Sequence, residues 1–278
     1  MTADAIYTEN VRLDLENVLV VKIGGGAGLD MRRCVADLAE LARQRPLVVV
    51  HGVSDAVNRL CAERDIPVRT LVSPTGHSSR YTDARTRDVF VEAAGNISEQ
   101  LCADLGAYGL CATVINDAVQ GERKRAIRAV FEGRVRMVRD DYSGSIAGVN
   151  VASILEALRR GCVPVLPPLA TSADGALNID GDRASAAIAQ ALGAQELVIL
   201  SNVRGLYRSF PDESTFVNRI RRDECDQAMN WADGRMKRKV LGAVEALDGG
   251  VRRVVIADGR ADHPVAQALN GAGTEFVS

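Results

Sequence analysis

The chain has 278 residues, 47% of them hydrophobic and 25% charged, with a formal net charge of −2. That length suits one large α/β domain or two fused lobes, and the charge balance excludes a globally basic nucleic-acid binder. No apolar run approaches the ~20 residues of a membrane span, so no membrane partner is expected.

Residues 1–17 are polar and lack the apolar stretch of a signal peptide, which predicts a short disordered lead-in and a cytoplasmic protein. The next residues, Val18–Ile23, read VLVVKI and predict a strand, and Met31–Arg43 has helical spacing. Pro46–Gly52 predicts a second strand and Val57–Glu63 a second helix. Thr82–Leu105 is a long helical pattern, followed by the strand Cys111–Ile115. Arg123–Arg139 breaks the rhythm: it predicts two short strands around Glu132-Gly133, an inserted antiparallel hairpin. The strands Val163–Pro168, Glu196–Ser201 and Arg253–Asp258 each follow a helix. Apolar strands between helices predict an α/β fold with a mainly parallel sheet covered on both faces. A change of lobe is expected in the polar stretch near 170–180.

The six cysteines, Cys34, Cys61, Cys102, Cys111, Cys162 and Cys225, are scattered and stand apart from the three histidines, His51, His77 and His263. Zinc needs clustered ligands, so no metal ligands are assigned and the cysteines are expected to be reduced core residues.

Glycine follows a strand at Gly24-Gly25-Gly26 and at Gly52. Such glycines serve as plain strand–helix turns or let backbone N–H groups approach phosphate oxygens. Neither common fingerprint fits, since GxxxxGK[ST] is absent and Leu29 stands where GxGxxG needs its last glycine. Lys22 ends an apolar strand just before the triplet, where a phosphate would sit. The segment Gly234-Arg235-Met236-Lys237-Arg238-Lys239-Val240 packs four cations into the opening of a helix. A helix N-terminus disfavours cations, so an anion such as a polyphosphate is expected to compensate them. Asn178-Ile179-Asp180-Gly181-Asp182 sits at a strand-to-helix turn, where Asp182 either caps the helix or orients lysines, a metal or a substrate ammonium. No histidine or cysteine is placed as a general base. A carboxylate acceptor is ionised at neutral pH and needs none; its phosphorylation needs alignment and charge neutralisation.

In this order VVKIGGG, VVVHG, RYTD (Arg80–Asp83), LNIDGD, LSNVRGLY (Leu200–Tyr207), GRMKRKV and the terminal GAGTEFV resemble the amino acid kinase superfamily, in its acetylglutamate kinase branch. The resemblance runs from about Val18 to Val277. RYTD, IDGD, YSG (Tyr142–Gly144), LSNV and GRMKRKV are most similar to LysZ-type kinases, which phosphorylate α-aminoadipate or glutamate held by its amino group on a small acidic carrier protein. The resemblance implies a three-layer fold with a substrate lobe at about 18–170 and a nucleotide lobe at about 171–278. It implies ATP with Mg²⁺, and a homodimer or larger homo-oligomer. Free N-acetylglutamate is the alternative acceptor, and a non-catalytic homologue a further one.

The implied roles are as follows. Lys22 and Lys239 stabilise the transferring phosphoryl group, and Asp182 holds both lysines. Gly52 and Val53 give backbone contacts, while Arg80 and Asn178 bind the acceptor. Gly24 and Gly25 line the phosphates, and Ser201, Asn202, Gly205 and Tyr207 run beside the nucleotide. The family has glycine where this chain has Val53; if that position needs a positive φ, valine is costly and the acceptor geometry is altered. The hairpin holds Arg123, Lys124, Arg125, Arg128, Arg134, Arg136 and Arg139 against the single acid Glu132, a net of +6. Its second strand alternates Arg134 and Arg136 with Val135 and Met137, which aims the arginines at one face, and the expected partner is the acidic carrier. Nucleic acid is not expected there, because Phe131 is the one aromatic residue and it stands beside the turn.

Overall fold

Residues Leu19 to Ile23 form strand β1 (Leu19–Ile23) and all five are buried, because helices cover both faces of the sheet they sit in. The chain continues through α1 (Met31–Ala42), β2 (Leu47–His51), α2 (Ser54–Glu63), the small pair β3 (Thr70–Val72) and β4 (Ser78–Arg80), and the long helix α3 (Ala84–Ala107). Next come β5 (Cys111–Val114), β6 (Val119–Arg123), β7 (Ile127–Phe131), β8 (Arg134–Val138) and β9 (Gly144–Val149). Helix α4 (Val151–Arg159), β10 (Cys162–Leu166), β11 (Leu169–Ala170), β12 (Leu177–Asn178) and α5 (Gly181–Leu192) follow. The chain ends with β13 (Glu196–Ser201), β14 (Arg219–Arg221), α6 (Cys225–Trp231), α7 (Gly234–Asp248), β15 (Arg253–Asp258), α8 (Pro264–Leu269) and β16 (Thr274–Val277). This computed structural model describes residues 17–278 apart from positions 30, 75, 77, 132 and 133. The lead-in, but for its last residue, the turn Glu132-Gly133 and His77 therefore lie outside the described residues.

Eight strands form one sheet in the order β14-β16-β15-β13-β1-β2-β10-β5. It is mainly parallel, as the apolar strands predict; β16 runs antiparallel to β15, and β14 runs with β16. The expected lobe change near 170–180 falls on the β11–β12 pair, while the sheet runs unbroken across both sides.

Strand parity decides what each face meets. Leu19, Val21 and Ile23 pack with Val35 and Leu38 of α1, Leu101 of α3 and Val265 of α8. Val18 and Val20 belong to the opposite core, with Ile188 of α5 and Ala243 of α7. Lys22 shares the parity of Val20, so its side chain leaves the strand on the α5–α7 side. Truncating a fully buried residue of this core, such as Leu19 to alanine, is expected to cost about 2–5 kcal/mol.

Three expectations need correction. First, Arg123 is not in the hairpin: it ends β6, which pairs with β9, and the hairpin is β7 with β8 in the register Ile127↔Val138 to Phe131↔Arg134. Second, that register puts Arg128 opposite Met137 and Arg136 opposite Ala129, so Arg128 points away from the face of Arg134 and Arg136. Third, Cys111 and Cys162 are joined by a disulfide, with 4.4 Å between their Cα atoms. They stand side by side in the register of β5 and β10, 51 residues apart in the chain, so no local spacing signals the pair. Cys34, Cys61, Cys102 and Cys225 are thiols outside this bond, and all but Cys102 are buried.

Candidate active site

A cleft of about 870 Å³ opens at the carboxyl ends of β1, β2 and β13, the position where open α/β sheets bind ligands. Gly25 and Gly52 form its floor by close backbone packing: a Cβ on Gly25 would collide with the backbone of Gly52 and the amide of Val53, and one on Gly52 would strike Gly25. The α2 N-terminus points into this floor, with Val53 as its cap residue and Gly25 O accepting from Asp55 N at 2.7 Å. Backbone amides and a helix N-terminus converge there, which favours an anion. Val53 has φ −134° and is buried. The position needs no positive φ, so the feared cost of valine does not arise.

Above the floor stand three charged side chains. Asp182 Oδ1 lies 2.6 Å from Lys22 Nζ, and its Oδ2 accepts from Lys239 Nζ at 3.0 Å. Each of the three side chains is at least 88% buried, so the pairs are little screened. Burial alone would raise the Asp182 carboxyl; the two ammonium groups outweigh it and hold it well below the usual carboxylate range. Burial lowers the Lys239 ammonium, and Asp182 opposes that shift. Two lysines on one carboxylate leave a net positive charge in the cleft that the glycine floor lines.

Asp182 is free for this work because it is not the helix cap. Asp180 caps α5, its Oδ1 accepting from the N–H groups of Asp182 at 3.0 Å and Arg183 at 3.1 Å. Its other oxygen takes Arg238 Nη1 at 3.0 Å. Of the roles the sequence leaves open for Asp182, the helix cap falls instead to Asp180, two residues earlier; aspartate before a glycine at the helix start was the signal available.

On the opposite wall, Arg80 Nη2 donates to Asn58 Oδ1 at 2.6 Å and Ser54 O at 3.2 Å. Its Nη1 is buried and has no partner among the described residues. Burial lowers the Arg80 pKa, and the charge of Arg235 lowers it further. A half-buried guanidinium with one buried, unmatched donor suits an anionic ligand group. Asn178 lines the same wall and donates to Thr82 Oγ1 at 2.9 Å. His51, beside Gly52, is buried, pairs with Ser98 Oγ at 2.7 Å, and is pushed down by burial to about 4. It is neutral at pH 7.

Gly24, Ser201, Asn202, Gly205 and Tyr207 all line the cleft. Gly205 is required by close approach, since a Cβ there would meet Thr274. The Tyr207 hydroxyl donates to Glu213 at 2.9 Å, and its ring meets Phe210 edge-on at 5.6 Å. Arg235, Arg238, Phe210 and Trp231 also line the cleft and were not assigned from sequence. Among the described residues eight cationic and three anionic side chains line it, a net of +5 in a chain of net −2.

The seven hairpin cations do not act as one patch. Arg123 is engaged internally: its guanidinium lies 3.8 Å over the Tyr142 ring and donates to Asp141 O at 2.8 Å. Lys124 lines the cleft, where burial of its ammonium end and the charges of Arg183 and Arg238 lower its pKa, although the residue as a whole is exposed. Arg125, Arg128, Arg134, Arg136 and Arg139 are exposed. Val135 and Met137 are each 49% exposed, so both faces of the ribbon meet solvent.

The amino acid kinase family matches residues 17–258 of this sequence. The chain belongs to that family. An amino acid kinase of Deinococcus radiodurans, named LysW-aminoadipate kinase, is 40% identical over 271 residues, 95% of this chain and 93% of the relative. The LysW-aminoadipate kinase of Thermus thermophilus is 40% identical over 266 residues, 92% of this chain and 99% of the relative. Among solved structures, N-acetylglutamate synthase from Neisseria gonorrhoeae, complexed with coenzyme A and N-acetyl-glutamate, aligns with a TM-score of 0.78 and 27% identity. That alignment covers 95% of this chain and 60% of the synthase chain. Carbamate kinase from Giardia lamblia bound to AMP-PNP shares the fold at a TM-score of 0.65 and 15% identity, over 94% of this chain and 98% of the other. Among the described residues no helix is long and apolar enough to cross a membrane.

Proposed function

We propose that this amino acid kinase transfers the γ-phosphoryl group of ATP to the side-chain carboxylate of α-aminoadipate, or glutamate, carried through its amino group on a small acidic protein. A carboxylate oxygen attacks the γ-phosphorus, the bond to the β,γ-bridging oxygen breaks, and the products are an acyl phosphate and ADP. The observation that carries the reading is the buried Lys22–Asp182–Lys239 cluster, which lines one cleft with the Gly25–Gly52 floor and with Arg80, whose Nη1 is unmatched. The relatives named LysW-aminoadipate kinase support the choice of acceptor.

In this reading Lys22 and Lys239 meet the charge that spreads over the equatorial phosphoryl oxygens, and Asp182 fixes their separation. The amides of Gly25 and Val53 contact the phosphoryl group from the floor. Arg80 and Asn178 orient the acceptor, with Arg80 supplying the cation for its free carboxylate. Ser201, Asn202, Gly205 and Tyr207 flank the nucleotide, so 171–278 carries the nucleotide, while 18–170 holds the acceptor together with Asn178 from just beyond that boundary. No residue removes a proton, because the attacking carboxylate is already ionised. Of the three carboxylates that line the cleft among the described residues, Asp180 and Asp182 are occupied by the α5 cap, Arg238 and the two lysines. The residues therefore fit a Mg²⁺ ion held mainly by phosphate oxygens and water, with Asp233 the remaining carboxylate. Such an ion neutralises the nucleotide's charge.

The test is an acceptor comparison: carrier-bound aminoadipate, carrier-bound glutamate and free N-acetylglutamate, each with ATP and Mg²⁺, with the acyl phosphate trapped by hydroxylamine. Hydroxamate should form with a carrier-bound acceptor. Formation with free N-acetylglutamate alone would overturn the choice of acceptor.

A further inference from the structure

Arg238 touches both walls of the cleft. It lies on α7 next to Lys239, and its Nη1 holds Asp180, the cap of α5, at 3.0 Å. Its Nη2 donates to the backbone carbonyl of Ser78, the first residue of β4. The α5 start carries Asp182 and hence the two lysines, while β4 ends in Arg80. One planar guanidinium thus joins the phosphoryl-side cations to the strand that presents the acceptor-side arginine, as a fork of fixed donors can.

Two further observations give this link a purpose. The β3–β4 pair is a separate two-stranded sheet, not part of the eight-stranded one. Its placement over the cleft is therefore set by local contacts such as this one, not by the main hydrogen-bond ladder. In addition, Arg235 on α7 lines the same cleft as Arg80 and its charge disfavours the charged form of Arg80. Like charges push the two walls apart until an anion lies between them. Arg238 acts against that push.

We infer that Arg238 is a positioning residue, a latch that holds β4 against the α5–α7 wall and so sets the distance between the acceptor-binding arginine and the phosphoryl-transfer lysines. The inference rests on the phosphoryl-transfer reading of the site and on no particular acceptor. It divides the basic helix opening into separate tasks: Lys239 for charge on the phosphoryl group, Arg238 for alignment across the cleft.

The experiment compares wild type with Arg238→Met and Arg238→Lys by steady-state kinetics, and by hydrogen exchange of the β4 amides in the ligand-free protein. Arg238→Met should lower kcat about 10–100-fold, the scale of an ångström of misalignment. KM for ATP should change less than about threefold, and β4 amides should exchange at least about tenfold faster. Arg238→Lys keeps a charge for Asp180 but lacks the fork, so its kcat should fall between the two. With Arg80 already replaced by alanine, Arg238→Met should cost no more than about threefold further, because nothing is left on β4 to align. Fully multiplicative losses, kcat within threefold of wild type in Arg238→Met, or unchanged β4 exchange would each overturn the latch. A wild-type protein that phosphorylates no carboxylate would sink the functional reading instead, and the exchange arm would still decide the latch.

Discussion

The chain has two dense groups of cations, and the structure treats them in opposite ways. Around Asp182, Lys22 and Lys239 are buried and paired within 2.6–3.0 Å. On β7 and β8, Arg128, Arg134 and Arg136 are exposed and share the ribbon with the half-exposed Val135 and Met137. Counting charges along the sequence makes the hairpin the richer site. Position makes the buried cluster the stronger one, because a charge out of water interacts several times more strongly than one at the surface. The first group suits chemistry and the second suits encounter.

The comparison breaks first at the buried cluster. Lys22→Ala and Lys239→Ala should each reduce kcat by roughly 10²–10³-fold, about 3–4 kcal/mol, with little change in nucleotide affinity. Turnover near wild type in either variant would remove that lysine from the phosphoryl site. A calorimetric titration with a non-hydrolysable ATP analogue separates lost binding from lost rate.

Burial also leaves a signature in stability. His51 is pushed down to about 4, against 6.5 for an unstrained histidine. Between those values the unfolded chain binds the extra proton and the folded one does not, so stability rises with pH and is lost on acidification. The full difference is about 3 kcal/mol. Denaturant melts at pH 7, 5.5 and 4 should show wild type losing more stability than His51→Gln, which can still bond Ser98. Parallel losses in the two proteins would mean that His51 titrates normally.

Much of this was legible in the sequence, and the failures share a cause. Long apolar strands and helices carry strong periodicity, so β1, β2, β13, β15 and α3 were visible in it. The tiny pairs β3–β4 and β11–β12 have two or three residues per strand, too few for any period. Lys22, Asp182 and Lys239 could be named through motif order, although nothing local shows that they meet. The cap was left open at Asp182 and not placed on Asp180, because both aspartates fit a helix start. The Cys111–Cys162 pair depends on a register between strands 51 residues apart, which no spacing rule records. Arg123 counted toward a surface patch because sequence carries no sign of the Tyr142 ring beneath it.

The exposed group yields a smaller and salt-sensitive effect. Arg134→Glu with Arg136→Glu should raise KM for a carrier-bound acceptor roughly tenfold, about 1.4 kcal/mol, and leave KM for ATP unchanged. Because exposed charges are screened beyond about 8 Å at 0.15 M salt, wild-type kcat/KM should fall as salt rises, and the double variant should lose that dependence. An unchanged KM with salt-insensitive kinetics would leave the hairpin as a solvated ribbon whose charges merely discourage strand addition.

The smallest effect on rate is expected at Val53, where the resemblance leads one to expect glycine. At φ −134° valine avoids the left-handed region that favours glycine, so its replacement relieves no positive-φ cost. The amide that faces Gly25 belongs to the backbone and survives any substitution but proline. What Val53→Gly removes is packing: the side chain is 2% exposed and belongs to a small core with Val57, Phe90 and Leu169. The change should therefore lower stability by roughly 2 kcal/mol while kcat moves less than about threefold, under 1 kcal/mol. Stopped-flow phosphoryl transfer and a urea melt on the same preparation separate the two. A large gain in kcat on introducing glycine would show that the valine side chain obstructs the acceptor and that the native chain works below its family's rate; a large loss would show that the side chain itself, not the amide, helps to seat the acceptor.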